Sequence, residues 1–437
     1  MGSYLPNTPE ERREMLRTIG ADSAEALFSH IPEAVRVSSL DHLPEGLSEM
    51  AVRERMEALA AKNQVFRSCF RGAGAYRHYI PAIVKSVTAK EEFLTAYTPY
   101  QAEISQGILQ SIFEYQTMIC ELTGMDVSNA SVYDGASAAA EAAAMCRDRR
   151  RQKILISETV HPQTIETVKT YAFGADVPVE VIPARDGRTD ADALEAALTA
   201  EVSCVLLQQP NFYGVIEDMP AERIHASGAK LIMSVNPISL GLLATPASQG
   251  ADIAVGEGQP LGLPLAFGGP YLGFMACTRA MMRKLPGRIV GETADADGRR
   301  AFVLTLQARE QHIRREKASS NICSNQALCA LTAAVYLSAM GPNGLREVAE
   351  QCAAKAQYAA SRLCEIPGVS LAYAPPFFHE FVTRLPATPD AVLAALEDEG
   401  ILGGLPVRDG ILWCVTEMCP KAQIDEMVRV VREVCVV

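Results

Sequence analysis

The sequence predicts an α/β fold in which a mostly parallel sheet follows a helical arm and precedes a smaller α+β unit. Short apolar runs alternate with helical patterns between residues 150 and 277, helical patterns dominate the first third of the chain, and strands and helices mix again near the C-terminus. We therefore expect a helical N-terminal arm over 1–65, a large α/β domain over 66–340 and a small C-terminal α+β domain over 341–437.

The helices of the first third are predicted from caps and from apolar spacing. Thr8 is placed to cap a helix that Pro9 opens, because proline and the acidic residues after it suit a helix N-terminus. Apolar residues recur three or four positions apart in several later stretches, which is helical spacing. The stretches predicted to be helical are 23–30, 47–62, 106–123 and 138–147.

The parallel sheet is predicted from apolar runs that are too short for helices. Strands that alternate with helices pair in parallel through right-handed crossovers and are buried on both faces. Glycine-rich runs at 250–277 are expected to close the sheet. The predicted strands are 153–157, 177–182, 202–208 and 230–235, and the helices between them are 163–172, 190–199 and 220–227.

The last third is expected to begin with a long helix over about 302–340, which the proline and glycine at 342–344 would end. The pattern beyond that break is typical of a small α+β layer. It predicts helices at 345–364, 389–399 and 421–435, and strands near 369–372, 380–383 and 411–415.

The composition excludes several classes of protein. Hydrophobic residues make up 49% and charged residues 21% of the 437 residues, which is typical of a globular protein with a large core. The net charge of −12 disfavours binding to nucleic acid or to an anionic membrane. No apolar run reaches the ~20 residues that span a bilayer. The polar N-terminus has no signal-peptide pattern, so we expect a cytoplasmic protein.

The sequence offers no pattern typical of a metal or dinucleotide site. The twelve cysteines include no C-x-x-C pair and stand at apolar positions, so free buried thiols are expected. No pair among the seven histidines has metal-ligand spacing. The glycine-rich run at 256–262 contains Pro260, which forbids the helix that a bound pyrophosphate needs at this place.

Several motifs along the chain resemble those of one enzyme family. They are Y-T-P-Y-Q-A-E-I-S-Q-G at 97–107, Y-Q-T-M-I-C-E-L-T-G at 115–124, N-A-S-V-Y-D-G-A-S-A-A-A-E-A at 129–142, H-P-Q-T at 161–164, F-G-G-P-Y-L-G-F at 267–274 and R-E-K-A-S-S-N-I-C-S-N-Q at 315–326. Together they resemble the N-terminal half of the P-protein of the glycine cleavage system, a fold-type I enzyme that uses pyridoxal phosphate (PLP). The predicted order of domains agrees with that fold, which by itself is only an analogy.

Enzymes of that fold need a lysine that binds PLP covalently and an acid that keeps the pyridine nitrogen protonated. The acid is expected where the central strand 230–235 ends, and the sequence there reads S-V-N up to Asn236. The lysine is expected in the later glycine-rich loop, where the chain has Gln259, and no lysine lies between Lys230 and Lys284. The chain is therefore expected to have no catalytic lysine and to be unable to anchor PLP by itself.

The resemblance implies that the chain works with a lysine-bearing P-protein subunit that holds PLP covalently. The pair would decarboxylate glycine and transfer its aminomethyl group to the lipoyl arm of the H protein, in a complex of two copies of each subunit. Two alternatives stay open. One is a catalytically passive scaffold subunit, and the other is a self-sufficient enzyme of the aminotransferase or cysteine-desulfurase type, which the missing lysine disfavours.

A polar, aromatic loop before the helix 106–123 is the main candidate for a contribution to the active site. In fold-type I dimers an N-terminal loop of one subunit reaches the cofactor of the other, and hydroxyl and amide groups can contact a phosphate or a carboxylate. The alternative is a polar turn whose last residues lie near the helix N-cap. The candidate residues of this loop are Tyr97, Thr98, Tyr100, Gln101, Glu103, Ser105 and Gln106.

Two further groups of residues are expected at the site. His161 occupies the position where this fold often stacks an imidazole on the pyridine ring, and with Asn236 and Gln259 it marks a pocket that we expect to be vestigial. The second group is expected to line the same cleft as the polar loop. It consists of Gly72, Gly74, Tyr76 and His78.

Overall fold

A computed structural model describes residues 6–37, 42–97, 99–318, 320–322 and 324–436. The chain forms two compact units, Met1–Val65 and Phe66–Val437. The helices in chain order are α1 (Pro9–Ile19), α2 (Glu49–Ala60), α3 (Ala82–Thr88), α4 (Glu91–Leu94), α5 (Gln106–Thr123), α6 (Gly135–Cys146), α7 (Pro162–Gly174), α8 (Ala191–Ala197), α9 (Ala221–Ser227), α10 (Gln311–Arg314), α11 (Ala327–Cys364), α12 (Pro389–Asp398) and α13 (Lys421–Cys435).

The strands alternate with these helices through the middle of the chain. In chain order they are β1 (Ser68–Cys69), β2 (Val127–Ser128), β3 (Lys153–Ser157), β4 (Val179–Ile182), β5 (Ala184–Arg185), β6 (Arg188–Thr189), β7 (Val202–Gln209), β8 (Lys230–Val235), β9 (Ile253–Glu257), β10 (Gly273–Cys277), β11 (Val290–Ala294), β12 (Arg300–Leu304), β13 (Ser370–Leu371), β14 (Glu380–Arg384), β15 (Ile401–Leu402), β16 (Leu405–Val407) and β17 (Gly410–Cys414).

The first unit is helical, as the sequence predicts. The side-chain oxygen of Thr8 accepts from the main-chain N–H of Glu11, and the carboxylate of Glu11 accepts from the N–H of Thr8, so both ends of a capping box close at the start of α1. The α-helix predicted at 23–30 is wrong, because only a short 3-10 helix, Glu25–Phe28, forms there. Pro32 follows two residues after that predicted stretch, which leaves no room for a longer helix.

The second unit is built on a seven-stranded sheet with the order β2-β10-β9-β8-β7-β3-β4. Strands β4, β3, β7, β8 and β9 pair in parallel, and β10 is antiparallel to β9 and β2. The prediction of a mostly parallel sheet closed by glycine-rich strands is therefore confirmed. Apolar clusters cover both faces: one contains residues of α5 and α11, and the other residues of α6 and α7.

The long helix expected over 302–340 is wrong in its first part, and the helix begins only at Ala327. Residues 300–304 form β12, which pairs with β11 as a hairpin, because Phe302 on one face of the strand packs into a cluster with Leu109 and Ile112 of α5. The long helix is α11 instead, and Gly341 interrupts it at φ +61°, next to Pro342. The break predicted at 342–344 is thus close to a real change of direction, although helical structure continues on both sides of it.

Helix α11 is the one helix among the described residues that is long and apolar enough, by length and composition, to cross a membrane. The sequence prediction had found no such run. The residues buried on α11 include Cys329, Tyr336 and Cys352, which belong to the large apolar cluster under the sheet. Packing in the core therefore accounts for the apolar character of this helix.

The C-terminal part of the second unit contains a four-stranded antiparallel sheet with the order β13-β14-β17-β16. Helices α12 and α13 and the last part of α11 share an apolar cluster with it, in which Trp413, Phe381 and Ile424 are almost completely buried. The predicted helices at 389–399 and 421–435 and the strands near 380–383 and 411–415 are confirmed within two residues. The division of residues 66–437 at 340 stays a prediction.

Candidate functional site

A cleft of about 750 Å3 lies where the parallel strands end. Strands β3, β7, β8 and β9 are parallel, so their carboxyl ends meet at one edge of the sheet, which is the usual place for a ligand in this type of fold. The lining residues include Ala73, Gly74, Tyr76, Tyr133, Asp134, Gly135, Ser137, His161, Gln163, Gln208, Ser234, Asn236, Glu257, Tyr271 and Gln326. The structure thus brings Gly74 and Tyr76 together with His161 and Asn236. The prediction that Gly74 and Tyr76 line the same cleft as the polar loop 97–107 is wrong, because residues of that loop line a different cavity.

His161 stands at the start of α7 and is fixed in place by the loop that contains Ala73. Its ring Nε2 lies 2.9 Å from the carbonyl oxygen of Ala73. Since a carbonyl can only accept, Nε2 carries the proton, and Nδ1 accepts from the N–H of Gln163 at 3.2 Å. Burial lowers the pKa of His161 against the opposing effect of the bond to Ala73, so the ring is neutral at pH 7.

Gly74 is required for this arrangement. It has φ +105°, and a Cβ atom added there would lie 2.8 Å from Nε2 of His161. The loop therefore touches the imidazole directly instead of leaving its ring free.

Gln259, which stands near the expected position of the lysine, is almost completely buried at 1% exposure. Its Oε1 accepts from the main-chain N–H of Tyr76 at 2.8 Å, and its Nε2 donates to the carbonyl oxygens of Tyr76 at 2.9 Å and Leu263 at 2.8 Å. Both ends of the amide are therefore used by the main chain. Gln259 holds the loop that forms one wall of the cleft.

Asn236, at the position expected for the acid, is also bound within the chain. Its Oδ1 accepts from the N–H of Ile238 at 2.9 Å, and its Nδ2 lies 3.4 Å from Nε2 of His379. Burial lowers the pKa of His379 to about 3, with a smaller contribution from His78. The imidazole is therefore neutral and can accept from the amide. An uncharged amide cannot hold a pyridinium proton by charge, as an aspartate would.

Two carboxylates occupy the N-terminus of α6, which opens onto the cleft. Oε2 of Glu257 accepts from the N–H of Gly135 at 3.0 Å, and Oδ1 of Asp134 accepts from the N–H of Ser137 at 2.7 Å. Burial raises the pKa of Glu257 to about 7, although main-chain N–H groups from Leu272, Gly135 and Gln259 oppose the shift. These acids were missed from the sequence. A glutamate that ends an apolar strand and an aspartate before an alanine-rich helix were the available signals.

Glu380 of β14 also binds the loop that contains Ala73 and Tyr76. Its carboxylate accepts from the N–H of Ala73 at 2.6 Å and from the hydroxyl of Tyr76 at 2.8 Å. Burial raises its pKa to about 7, and the two hydrogen bonds oppose this shift. The predicted Gly72 lies in the same place, since a Cβ atom there would lie 2.4 Å from Oε1 of Glu380. Sequence reasoning missed Glu380, because it is far from residues 72–76 in the chain.

His78 does not line the cleft, contrary to the prediction. It is buried, and its Nδ1 lies 2.8 Å from Oε2 of Glu417, which also accepts from the thiol of Cys352 at 3.4 Å. The ligand-type atoms of these three residues lie within 4.8 Å of one another. The N–H of Tyr79 donates to the other oxygen of Glu417 at 2.7 Å. Hydrogen bonds therefore account for this cluster, which ties residues 78–79 to the C-terminal part of the unit.

The polar loop at 97–107 borders a separate, smaller cavity of about 280 Å3, together with residues 324–331. The hydroxyl of Tyr100 donates to Oδ1 of Asn325 at 3.1 Å, and the guanidinium of Arg288 lies 5.0 Å from the centre of the Tyr100 ring. Tyr97 is 89% exposed, and Gln101 and Glu103 are also exposed. Thr98 lies outside the described residues.

The end of this loop has a structural role. Nε2 of Gln106 donates to the carbonyl oxygens of Ala102 at 2.7 Å and Phe302 at 2.8 Å, and its Oε1 accepts from the N–H of Phe302 at 2.8 Å. Gln106 thus ties α5 to strand β12. Ser105 is the N-cap residue of α5, but its side chain makes no capping hydrogen bond. The structure therefore divides the loop into exposed residues, at 97, 101 and 103, and anchored residues, at 100 and 106.

The comparison with protein families decides which family this architecture represents. The model of the glycine cleavage system P-protein matches residues 2–431. The chain belongs to this family. It is 52% identical to a probable glycine dehydrogenase (decarboxylating) subunit 1 of Moorella thermoacetica, over 98% of this chain and 99% of that one. It is 50% identical to the corresponding Desulfitobacterium hafniense protein, over 99% and 100%.

Solved structures agree with the assignment to the P-protein family. A crystal structure of glycine decarboxylase (P-protein), in inhibitor-bound form, has a TM-score of 0.92 and 45% identity and covers 99% of this chain and 100% of its own. A sphingosine-1-phosphate lyase of Burkholderia pseudomallei, at 15% identity and a TM-score of 0.68, covers 92% and 94% and shares the fold alone. So does the cystine lyase C-DES, a PLP enzyme, at 15% identity and a TM-score of 0.60, over 87% of this chain and 99% of its own.

The residues of this chain's own cleft do not fit PLP. At the positions where the sequence leads us to expect the lysine and the acid, the chain has the amides of Gln259 and Asn236, which are bound within the chain, and the carboxylate of Glu257 adds negative charge to the cleft. No lysine or arginine is found among the described residues that line the cleft. No step of a reaction is therefore assigned to this pocket.

Proposed function

We propose that this chain is the lysine-lacking subunit of a two-subunit glycine decarboxylase. The observation that carries the proposal is the almost fully buried amide of Gln259, which binds the main chain of the loop beside the cleft and stands where the sequence leads us to expect the PLP lysine. The relatives that share half of its sequence over nearly their full length are named subunit 1 of glycine dehydrogenase (decarboxylating), which supports a division of the enzyme into two chains.

In this proposal a lysine-bearing P-protein subunit holds PLP covalently. PLP supplies the electron sink that lets glycine lose its carboxylate. The aminomethyl group then passes to the oxidised lipoyl arm of the H protein. The proposed assembly contains two copies of each subunit and works in the cytoplasm. This chain's task is to complete the partner's cleft and to help admit glycine and the lipoyl arm.

The exposed residues of the loop 97–107 are the proposed contribution to the partner's site. Tyr97, Gln101 and Glu103 are exposed. Tyr100 and Gln106 are hydrogen-bonded to other parts of the subunit and anchor the loop. Exposed hydroxyl and amide groups on a loop that is anchored at Tyr100 and Gln106 can orient a substrate at a smaller cost in conformational entropy than groups on an unanchored loop.

The proposal is tested by mixing. Purified separately, this chain and a lysine-bearing P-protein subunit from the same source are each expected to release no labelled CO2 from carboxyl-labelled glycine in the presence of lipoylated H protein. The mixture is expected to release it. Release by this chain alone would contradict the proposal, and so would a partner whose rate is unchanged by adding this chain.

The passive-scaffold alternative makes a different prediction. If the chain only stabilises its partner, then loop substitutions that leave the complex assembled should leave the rate of decarboxylation unchanged. A loss of rate in a correctly assembled complex supports a direct contribution of the loop. Assembly is measured by size-exclusion chromatography with light scattering.

A further inference from the structure

The N-terminus of α6 is a place where an anion is expected. Unpaired main-chain N–H groups and the helix dipole both favour negative charge at this end of a helix. Helix α6 begins at Gly135 inside the cleft. In this chain the negative charge comes from the protein itself, because Glu257 and Asp134 accept from the N–H groups of Gly135 and Ser137.

Main-chain N–H groups bind both carboxylate oxygens of Glu257, as they would bind an anion. One carboxylate oxygen accepts from Gly135 at 3.0 Å, and the other accepts from the N–H groups of Gln259 and Leu272, each at 2.9 Å. Main-chain donors from three separate segments therefore surround a single carboxylate, in the manner of a phosphate site. The helix also approaches closely: a Cβ atom at position 135 would lie 2.7 Å from the main-chain nitrogen of Glu257.

We propose that Glu257 is an internal substitute for the phosphate of a cofactor and that it makes this subunit reject phosphorylated ligands. The cleft is otherwise open, with a volume of about 750 Å3, so the missing lysine alone would not keep such a ligand out. With Glu257 in place, the carboxylate would repel a phosphate group, and the main-chain N–H groups that could bind the phosphate would already be occupied. This inference rests on the proposed function, since it gives the reason why PLP is confined to the partner's site.

The test removes the carboxylate from the full chain and asks whether phosphate replaces it. At pH 8, above the pKa of about 7 that burial gives Glu257, isothermal titration calorimetry is run with inorganic phosphate and with pyridoxine 5′-phosphate, which has no aldehyde to react with surface lysines. The natural chain is expected to bind neither. Glu257→Ala is expected to bind one equivalent of each, with an affinity at least about tenfold above the weakest that the titration detects. Pyridoxine without the phosphate should bind to neither protein.

Glu380→Ala is the matched control. It also removes a buried carboxylate that accepts from a main-chain N–H, but this group does not stand at a helix N-terminus, so phosphate should not bind to the variant. If Glu257→Ala does not fold, Glu257→Ser, whose hydroxyl can donate to a phosphate, is used with melting curves in increasing phosphate. A melting temperature that rises with phosphate in this variant alone supports the inference.

Two results would overturn the inference. One is phosphate binding by the natural chain that equals binding by Glu257→Ala, and the other is no binding by any folded variant at position 257. Neither measurement involves decarboxylation or the partner subunit. A failure of the mixing experiment would therefore leave this result interpretable, and a failure here would leave the division of the enzyme into two chains unaffected.

Discussion

Replacing Gln259 by alanine would remove the amide that stands where the lysine is expected, and the structure predicts that this substitution lowers the stability of the chain. Gln259 is 1% exposed and makes three hydrogen bonds to the main chain. The substitution leaves the N–H of Tyr76 and the carbonyl oxygens of Tyr76 and Leu263 without these partners. It also leaves a cavity, since nothing in the neighbourhood replaces the side chain.

The size of the effect follows from these contacts. Each lost hydrogen bond costs about 1 kcal/mol, and the lost packing adds to this, so the free energy of unfolding should fall by about 3–5 kcal/mol. The unfolding entropy of a unit of this size is roughly 0.8 kcal/mol/K at the melting temperature. The melting temperature should therefore fall by about 4–6 °C.

Differential scanning calorimetry on the full chain measures this change. Gln163→Ala is the matched control, because Gln163 is a glutamine that lines the cleft with an exposed side chain. The melting temperature of this variant should stay within about 1 °C of that of the natural chain. If the two variants melted at the same temperature, Gln259 would not be a structural replacement for the lysine, and the reasoning on the cleft would be wrong.

Three further predictions concern the loop, the helix N-terminus and pH. Tyr97→Phe should lower the rate of decarboxylation by the assembled complex about tenfold, the effect of one lost hydrogen bond to substrate or cofactor. Tyr79→Phe, at an exposed tyrosine outside the loop, should leave this rate unchanged. Equal rates for the two variants would mean that the loop has only a structural role. Gly135→Ala should lower the free energy of unfolding by about 1–3 kcal/mol, because the Cβ atom of the alanine would clash with the main chain of Glu257. An unchanged midpoint of urea unfolding would contradict this prediction. The pKa of Glu380 is raised from 4.5 to about 7 by burial, so its contribution to stability is full below pH 4.5 and is lost as the pH rises through 7. Burial raises the pKa of Glu257 to about 7 as well, so that group contributes in the same direction. Between pH 5 and 8, calorimetry should therefore show a loss of stability that is smaller by about 3 kcal/mol in Glu380→Gln than in the natural chain. A variant as sensitive to pH as the natural chain would exclude Glu380 as a source of the loss.

Local patterns in the sequence were sufficient for the parallel sheet and most helices. The apolar runs at 153–157 and 230–235 coincide with strands β3 and β8, because strands buried on both faces are apolar throughout and their limits are clear. The prediction for 302–340 was wrong because contacts with remote segments decide the structure there. The prediction extended a helix back to residue 302, but pairing with β11 and contact with α5 decide the structure around Phe302. Neither partner is visible in a local pattern.

The candidate site was predicted in part. Chemistry alone pointed to Gln259 and Asn236, since the fold requires a lysine and an acid at defined places along the chain. The neighbours that give these amides their role come from remote segments: Gln259 binds Tyr76, and Asn236 meets His379. His78 was expected at the cleft together with Gly72, Gly74 and Tyr76. Its side chain instead pairs with Glu417, which no spacing in the sequence indicates.

The position of the covalent cofactor in the assembled enzyme tests the central claim most directly. The complex of this chain with its lysine-bearing partner is treated with PLP and borohydride, digested and analysed by mass spectrometry. One reduced adduct is expected on a lysine of the partner subunit, and no stoichiometric adduct on this chain. A stoichiometric adduct on any lysine of this chain would contradict the claim that its cleft has lost the means to hold the cofactor.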